Sequence, residues 1–367
     1  MGPSTKIVLG IIAAAVITGG YWLWQGRSTT PSTIKIGAIV ILSGDAAAWG
    51  ENAKKGIDLA VEEINRSGGA NGKPIELVYE DTGGEPKRAI LAYQKLVATN
   101  RVDAIIGPLF QVEVAAISPL VAKDQIPVVT PSYAPIQNRP TPYNPLMVWM
   151  DPTIEAGRMA EYVLAEGVKS ASVIGTTDSW EQEVSEEFAR KSASLGGKIP
   201  YKELVQFDAT DVRSAITKAV QGRPDAIFLG TYYQFVRLVK GLREIGYRGK
   251  LYGIEVDAYL AGETKQLSNG LRFIAPDFYA SDFIRVFEQK YNQKPGIPAG
   301  QAYDATHILA SLLSGKRSSA EVLKAMENFK SYRGVSGEIV VTDQRHTLLP
   351  TAIFELQNGE AVRLESQ

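Results

Sequence analysis

The sequence predicts an α/β protein built from two doubly wound, parallel-sheet lobes. From Ile34 onward, short apolar runs rich in β-branched residues alternate with segments of helical spacing. Strands that are apolar on both faces and joined by helices indicate parallel sheets covered on both sides, and right-handed crossovers wind such sheets in two directions. One sheet does not comfortably hold this many βα units, so two lobes are expected.

Periodicity predicts the individual elements. In the first predicted helix, Ile57, Ala60, Val61 and Ile64 form one apolar stripe at i, i+3, i+4 and i+7. Apolar runs predict strands at 34–42, 75–81, 103–108, 127–131, 171–176, 203–207, 225–230, 251–255 and 270–275. Helical segments are expected at 282–292, 300–313 and 319–329, followed by strands at 337–342, 352–357 and 361–365, the last two joined by a hairpin turn at 358–359.

The chain begins with a charge-free apolar run at residues 7–24. Its length is at the short end of what crosses a bilayer, and the aromatic residues at its far end resemble an interfacial belt, which favours an uncleaved anchor. The alternative is a cleaved signal peptide, for which Thr18-x-Gly20 is the best small-x-small site, although bulky aromatics follow it. Both interpretations predict export, and residues 1–33 are assigned to this leader and its polar linker.

Composition disfavours most other functions. The 39 basic and 40 acidic residues are evenly spread, so no nucleic-acid partner is expected, and the absence of cysteine excludes thiolate catalysis and disulfides. No GxGxxG, Walker, GxSxG, HExxH or EF-hand motif occurs. Asp304 and His307 have the spacing of a metal pair but lack further ligands, so a structural role is expected for both. Neither an enzyme, a cofactor nor a metal site is predicted.

Three blocks, in order, carry a family resemblance: IKIGAIVILSGDAAAWGENAKKGIDLAVEEIN, VDAIIGPLFQVEVAAISPLVAKDQIPVVTPSYAP and FEQKYNQKPGIPAGQAYDATHILASLL. The chain resembles the branched-chain amino-acid binding proteins of ABC transporters, which are type I periplasmic binding proteins. The resemblance implies a periplasmic, monomeric receptor without a cofactor. Such a receptor closes on an amino acid or a related small polar molecule and is recognised by a membrane permease.

The resemblance also implies three hinge crossovers between the lobes, near Pro152, Asp277 and Val335. The first agrees with the five prolines that interrupt the pattern at 134–152. The expected first lobe is therefore 34–152 with 278–334, and the expected second lobe is 153–277 with 335–367.

Loops at the carboxyl ends of parallel strands are where open α/β sheets bind polar ligands. By resemblance, the ligand-binding residues are Trp49, Gln111, Ser132, Ala134, Trp180, Tyr232 and Glu255. Gln111 and Ala134 stand where the family has a serine and a threonine that hold the ligand's head group, and Glu255 stands where an acid pairs with its amino group. Tyr233 and Asp257 are alternatives to Tyr232 and Glu255.

Two other interpretations stay open. The lost hydroxyls at Gln111 and Ala134 and the two tryptophans allow an amide, an amine or an aromatic acid as ligand. The fold also occurs in ligand-sensing ectodomains of regulatory systems, which fold class alone does not exclude. Trp149, near the first crossover, is interpreted as hinge packing.

Overall fold

Two sheets in the computed structural model correspond to the two predicted lobes. It describes residues 33–44, 46–134, 144–277, 279–315, 318–343 and 345–364. The apolar run at 7–24 lies outside these ranges. Within them, no helix combines the length and apolar character that a bilayer span requires.

The first sheet is entirely parallel, with strand order β2-β1-β3-β4-β5. Its strands are β1 (Ile34–Val40), β2 (Ile75–Asp81), β3 (Ala104–Ile106), β4 (Val128–Thr130) and β5 (Leu146–Met147). The intervening helices are α1 (Ala47–Arg66), α2 (Pro86–Gln94), which continues into a π-helical turn at Lys95–Asn100, and α3 (Gln111–Asp124). β1 and β3 are almost completely buried, as expected for strands covered by helices on both faces.

The second sheet repeats the same winding and adds an antiparallel edge. Its parallel strands are β6 (Ala171–Thr176), β7 (Lys202–Val205), β8 (Ala226–Gly230), β9 (Lys250–Ile254) and β10 (Arg272–Pro276), in the order β7-β6-β8-β9-β10. The helices are α4 (Pro152–Ala165), α5 (Ser179–Ser194), α6 (Arg213–Gln221), α7 (Phe235–Glu244) and α8 (Ala258–Thr264). β14 (Thr351–Gln357) and β15 (Glu360–Arg363) extend the sheet as an antiparallel hairpin turning at 358–359.

The segment between the second and third crossovers returns to the first lobe. It contains α9 (Ser281–Tyr291), α10 (Ala299–Leu313), α11 (Ser319–Glu327) and a small sheet of β11 (Ser331–Gly334), β12 (Gly337–Val341) and β13 (Thr347–Leu348). α10 packs so closely against α1 that a Cβ added at Gly56 would come within 2.1 Å of the Ala299 carbonyl oxygen.

The predicted third crossover at Val335 comes too early in the chain. Ile339, Val341 and Leu349 are buried in the same apolar core as β1 and α11, so the chain through residue 349 packs with the first lobe. It enters the second sheet only at β14. The physical reason is that β12 alternates buried and less buried residues, and its buried side faces the first-lobe core.

Two of the crossovers are tied to each other by polar contacts. Asp151 begins α4 by accepting a hydrogen bond from the Thr153 amide (2.9 Å), and its other oxygen lies 2.5 Å from Nδ1 of His346. The Thr347 hydroxyl donates to the Met147 carbonyl oxygen at 2.7 Å. These contacts join residues 147–153 to residues 346–347.

The second lobe depends on a stacked aromatic pair, which gives a stability prediction. The rings of Phe188 and Phe228 lie 3.8 Å apart and both side chains are fully buried. We expect Phe188→Ala to lower the free energy of unfolding by about 3–5 kcal/mol, measured by urea denaturation. Leu195→Ala at the end of the same helix removes an exposed side chain and should change it by less than about 0.5 kcal/mol. Equal effects of the two substitutions would contradict this account of the core.

Candidate functional site

The carboxyl ends of both parallel sheets face a cavity of about 90 Å³ between the lobes. Its size suits several water molecules or a small organic ligand. Both lobes supply lining residues, which are mainly aromatic, apolar or acidic. They are Trp49, Leu109, Phe110, Gln111, Val112, Pro131, Ser132, Tyr133, Trp149, Asp178, Trp180, Glu181, Tyr232, Tyr233, Ile254 and Glu255.

On the first-lobe side, three of the expected residues reach the cavity. Trp49 comes from the first turn of α1, and its indole Nε1 is buried without a hydrogen-bond partner in the described part of the chain. Gln111 begins α3, and its amide nitrogen lies 3.4 Å from the Glu183 carboxylate of the opposite lobe, while its Oε1 is buried and unpaired among the described residues. Ser132 follows β4 and is 6% exposed. The side chains thus present unused polar atoms close to the cavity.

On the second-lobe side, a buried acid holds the aromatic wall in place. Glu181 accepts hydrogen bonds from the backbone amides of Tyr232 (2.6 Å) and Tyr233 (3.1 Å) and from the Thr176 hydroxyl. Burial raises the pKa of Glu181 to about 7, although the hydrogen bonds from Thr176 and Thr231 oppose the shift. The loop after β8 is therefore fixed, and both tyrosines line the cavity.

The aromatic side chains contact one another around the cavity, both within the first lobe and across the cleft. The Trp49 ring lies 5.6 Å from Trp149 and 5.8 Å from Tyr232, the latter edge to face. Phe110 and Tyr233 meet edge to face at 6.4 Å. Trp180, in the first turn of α5, lines the same cavity. Such pairs prefer these geometries, so the rings close the space around a small ligand.

Glu255 occupies the floor of the cavity in an unusual backbone conformation. Its φ is +47°, in the left-handed region that side-chain-bearing residues rarely adopt, and it directly follows β9. The indole Nε1 of Trp149 donates to its Oε1 at 2.9 Å. Burial raises the pKa of Glu255, and hydrogen bonds from Glu155 and Trp149 oppose that shift. A strained, buried acid facing a cavity is typical of a functional position.

The structure places the remaining expected residues as follows. Ala134 does not reach the cavity: its side chain is fully buried against Val114 and Met147. The contact predicted there is therefore wrong, because the loop after β4 turns this Cβ into the first lobe. Trp149, interpreted as hinge packing, is packed in the first-lobe core; it also lines the cavity and donates to Glu255.

Tyr233 and Asp257, the two alternative site residues, make different contacts. Tyr233 lines the cavity beside Tyr232. Asp257 instead begins α8 by accepting from the Leu260 amide at 2.9 Å and also accepts from the Tyr232 hydroxyl at 3.1 Å. Asp304, the first residue of the spacing considered for a metal, accepts from the amides of Val335 (2.9 Å) and Ser336 (2.9 Å) and so anchors the loop between β11 and β12.

The lining has a definite electrostatic character. Asp178, Glu181 and Glu255 are acidic, and no lysine, arginine or histidine occurs among the described residues of the lining. A carboxylate that is removed from water attracts a positive group more strongly, and the faces of indole rings add cation–π attraction. The site is therefore suited to a small ligand with a cationic group and an apolar body.

Comparison with known proteins identifies the class. The family model described as Periplasmic binding protein matches residues 33–360. The chain belongs to this family. It is therefore a solute-binding receptor and not an enzyme, and it acts outside the cytoplasm.

Several named relatives agree with this class. Leu/Ile/Val-binding protein homolog 3 of Brucella melitensis is 25% identical over 358 residues, covering 92% of this chain and 95% of the relative. Leu/Ile/Val-binding protein BraC3 of Rhizobium johnstonii is 26% identical, covering 91% and 89%. The structure of the substrate-binding protein LivJ from Streptococcus pneumoniae, in complex with isoleucine, superposes with a TM-score of 0.81 at 25% identity, covering 91% of this chain and all of that one. 

A more distant structure shares the fold. The solute-binding protein of an ABC transporter from R. palustris, solved in complex with benzoate, has a TM-score of 0.80 at 20% identity and covers 91% of this chain and 96% of that one.

The raised pKa of Glu255 predicts a pH-dependent stability difference. Between the ordinary pKa of 4.5 and the raised folded-state pKa of about 7, Glu255 is neutral in the fold but ionised in the unfolded chain, so the receptor loses stability as the pH rises through that range. Glu255→Gln carries no charge to desolvate and still accepts from Trp149. We expect the empty variant to be more stable than wild type by roughly 1–3 kcal/mol at pH 8 and nearly equal at pH 4.5, measured by urea unfolding.

Glu263→Gln, an exposed position on α8, is the matched control and should show no such pH-dependent gain. A Glu255→Gln protein that is no more stable than wild type at pH 8 would show that Glu255 is well solvated.

Proposed function

We propose that the protein is the receptor of an ABC uptake system for an α-amino acid with an apolar side chain. The observation that carries this proposal is Glu255, a buried carboxyl group at the floor of an aromatic cavity whose described lining supplies no basic side chain. An ammonium group supplies the positive charge that such a carboxylate needs. Glu255 is thus proposed to bind the ligand's amino group.

The opposite wall supports recognition of the ligand's carboxylate. α3 begins at Gln111, and its first two residues, Gln111 and Val112, line the cavity, where the start of a helix favours negative charge. Ser132 and the unpaired indole N–H of Trp49 add two side-chain donors. A buried donor without a partner costs about 1–3 kcal/mol, so a ligand oxygen at Trp49 would recover that energy. These groups are proposed to replace the hydroxyl contact that Ala134 does not provide.

The relatives favour an aliphatic amino acid. Those described above are named as Leu/Ile/Val-binding proteins, and the LivJ structure holds isoleucine. An aromatic acid is the second candidate, because three tryptophans wall the cavity and a structural neighbour holds benzoate. The amino acid is preferred, since an acid without an amine would place a negative charge near Glu255, Glu181 and Asp178 with no compensating cation.

Three related ligands test the head-group assignment. L-leucine, isopentylamine and 4-methylpentanoate share one apolar body and differ only in the amine and the carboxylate. We expect L-leucine to raise the melting temperature of residues 33–367 most strongly. The amine should bind more weakly, and the acid at least about 100-fold more weakly than leucine, because it leaves Glu255 unpaired, a loss of roughly 3 kcal/mol.

Two variants test whether Glu255 contributes to leucine binding. Glu255→Gln should weaken leucine binding by at least about tenfold in calorimetry, whereas Glu263→Gln should leave it unchanged. If benzoate or 4-methylpentanoate binds tightly and leucine does not, the fold and receptor role stand but the amino-acid assignment fails.

Hinge closure is the proposed mechanism. Contacts made only when the lobes meet include the Gln111–Glu183 hydrogen bond, the Trp149–Glu255 hydrogen bond and the Trp49–Tyr232 ring contact. A ligand that bridges the same surfaces stabilises the closed form through differential contacts, and a membrane permease would recognise that form. A monomeric receptor is proposed, and a sensing ectodomain would use the same closure with a different membrane partner.

The sequence also supports tethering by residues 7–24. We propose that this run is retained as a membrane anchor, which raises the receptor's effective concentration near its permease. The full chain, exported from a Gram-negative host, should then fractionate with the membrane, and its intact mass should include residues 1–33. A released form that starts near residue 21 would instead establish cleavage as a signal peptide.

A further inference from the structure

Glu155 is a buried acid beneath the cavity that the amino-acid assignment leaves unexplained. It lies in the first turn of α4, is 0% exposed, and neither of its carboxyl oxygens accepts a hydrogen bond from the described part of the chain. An ionised carboxylate in this place would be uncompensated and costly. A protonated carboxyl group, in contrast, needs only one acceptor for its O–H.

The group available to accept it is the carboxyl group of Glu255, because Glu155 and Glu255 interact directly and their chain neighbours Ala156 and Ile254 pack in one buried cluster. Trp149 donates its indole N–H to the same group at 2.9 Å. We propose that Glu155 is a neutral hydrogen-bond donor that positions Glu255 for the ligand's ammonium group, and that one proton on Glu255 competes with the ligand. This inference rests on the function proposed above and specifies how its central contact is built and regulated.

The charged groups around the pair agree with this assignment. Burial and the charge of Glu255 raise the pKa of Glu155 well above its ordinary value, and only Arg158, on the same helix, opposes the shift. Burial likewise raises the pKa of Glu255, whereas the hydrogen bonds from Glu155 and Trp149 lower it. Tyr279 also interacts electrostatically with Glu255. Glu155 is fully buried and accepts no hydrogen bond from the described residues, whereas Glu255 accepts from Trp149 and lines the cavity, so Glu255 is the member that ionises.

The arrangement has a consequence for binding. Glu255 lines the cavity, and a carboxylate that accepts from Trp149 and Glu155 still has lone pairs available for a ligand. When the ammonium group binds, Glu255 gives up any proton it carries to solvent, while Glu155 keeps its own. The affinity for an ammonium-bearing ligand should consequently fall as the pH drops below the pKa of Glu255.

Calorimetric titration with L-leucine between about pH 5.5 and 8.5 tests this in the wild type, Glu155→Gln and Glu155→Leu. In the wild type the association constant should fall by up to about tenfold per pH unit at the acid end, as for one competing proton. The Glu155→Gln side chain still donates, so its affinity should stay within about threefold of wild type with the same slope. Glu155→Leu removes the donor and should bind more weakly, with the onset of the fall moved to higher pH.

Glu161→Gln, an exposed position on the same helix, is the matched control and should leave the profile unchanged. Leucine binding with a flat wild-type profile, or Glu155→Gln losing as much affinity as Glu155→Leu, would overturn the inference while leaving the proposed ligand intact.

A fluorescence titration of the empty receptor tests the role of Glu155 without any ligand. Because Trp149 donates to Glu255, tryptophan fluorescence of the empty receptor should show one titration step that Trp149→Phe removes. Glu155→Leu should move that step to higher pH, and Glu155→Gln should leave it nearly in place. If leucine does not bind but these shifts occur, the proposed ligand fails and the role of Glu155 stands; a step that Glu155→Leu does not move overturns the inference.

Discussion

The site depends on a carboxyl group that is buried between two lobes, with no basic side chain among the described residues of the cavity lining. Glu255 follows a strand of the second sheet at a positive φ, and its side chain meets Trp149 from the chain just before the first crossover. Folding therefore desolvates an acid and leaves its charge uncompensated, at a cost in stability when it ionises. In the proposed function, the ligand's positive charge compensates this carboxylate, and it does so only when both lobes surround the ligand.

The surrounding structure keeps this group in place. The parallel sheets of the two lobes wind in the same order, so the ends of their strands meet at one cleft. Glu181 fixes the loop that carries Tyr232, and Asp151 with His346 ties the first and third crossovers together. These contacts hold the aromatic walls of the cavity in place.

The sequence predicts the strands well because β-branched, wholly apolar runs are a local signal: the run at 34–42 becomes β1 (Ile34–Val40). The two-residue strands β5 and β13 carry no such signal, since only tertiary pairing defines them. A resemblance predicts the position of a residue but not the direction of its side chain. The inward direction of the Ala134 side chain was therefore not predicted. Glu155 did have a signal, an acid on the apolar face that Ala156, Met159 and Val163 also define, although spacing alone does not say what it contacts.

A crystal structure of the receptor grown with L-leucine near pH 8 tests the role of Glu255 directly. We expect the ligand between Trp49 and Tyr232, with its amine nitrogen about 3 Å from a carboxyl oxygen of Glu255 and its carboxylate toward the start of α3. A ligand bound in the reverse orientation, with its carboxylate toward Glu255 or with no contact to that residue, would contradict it.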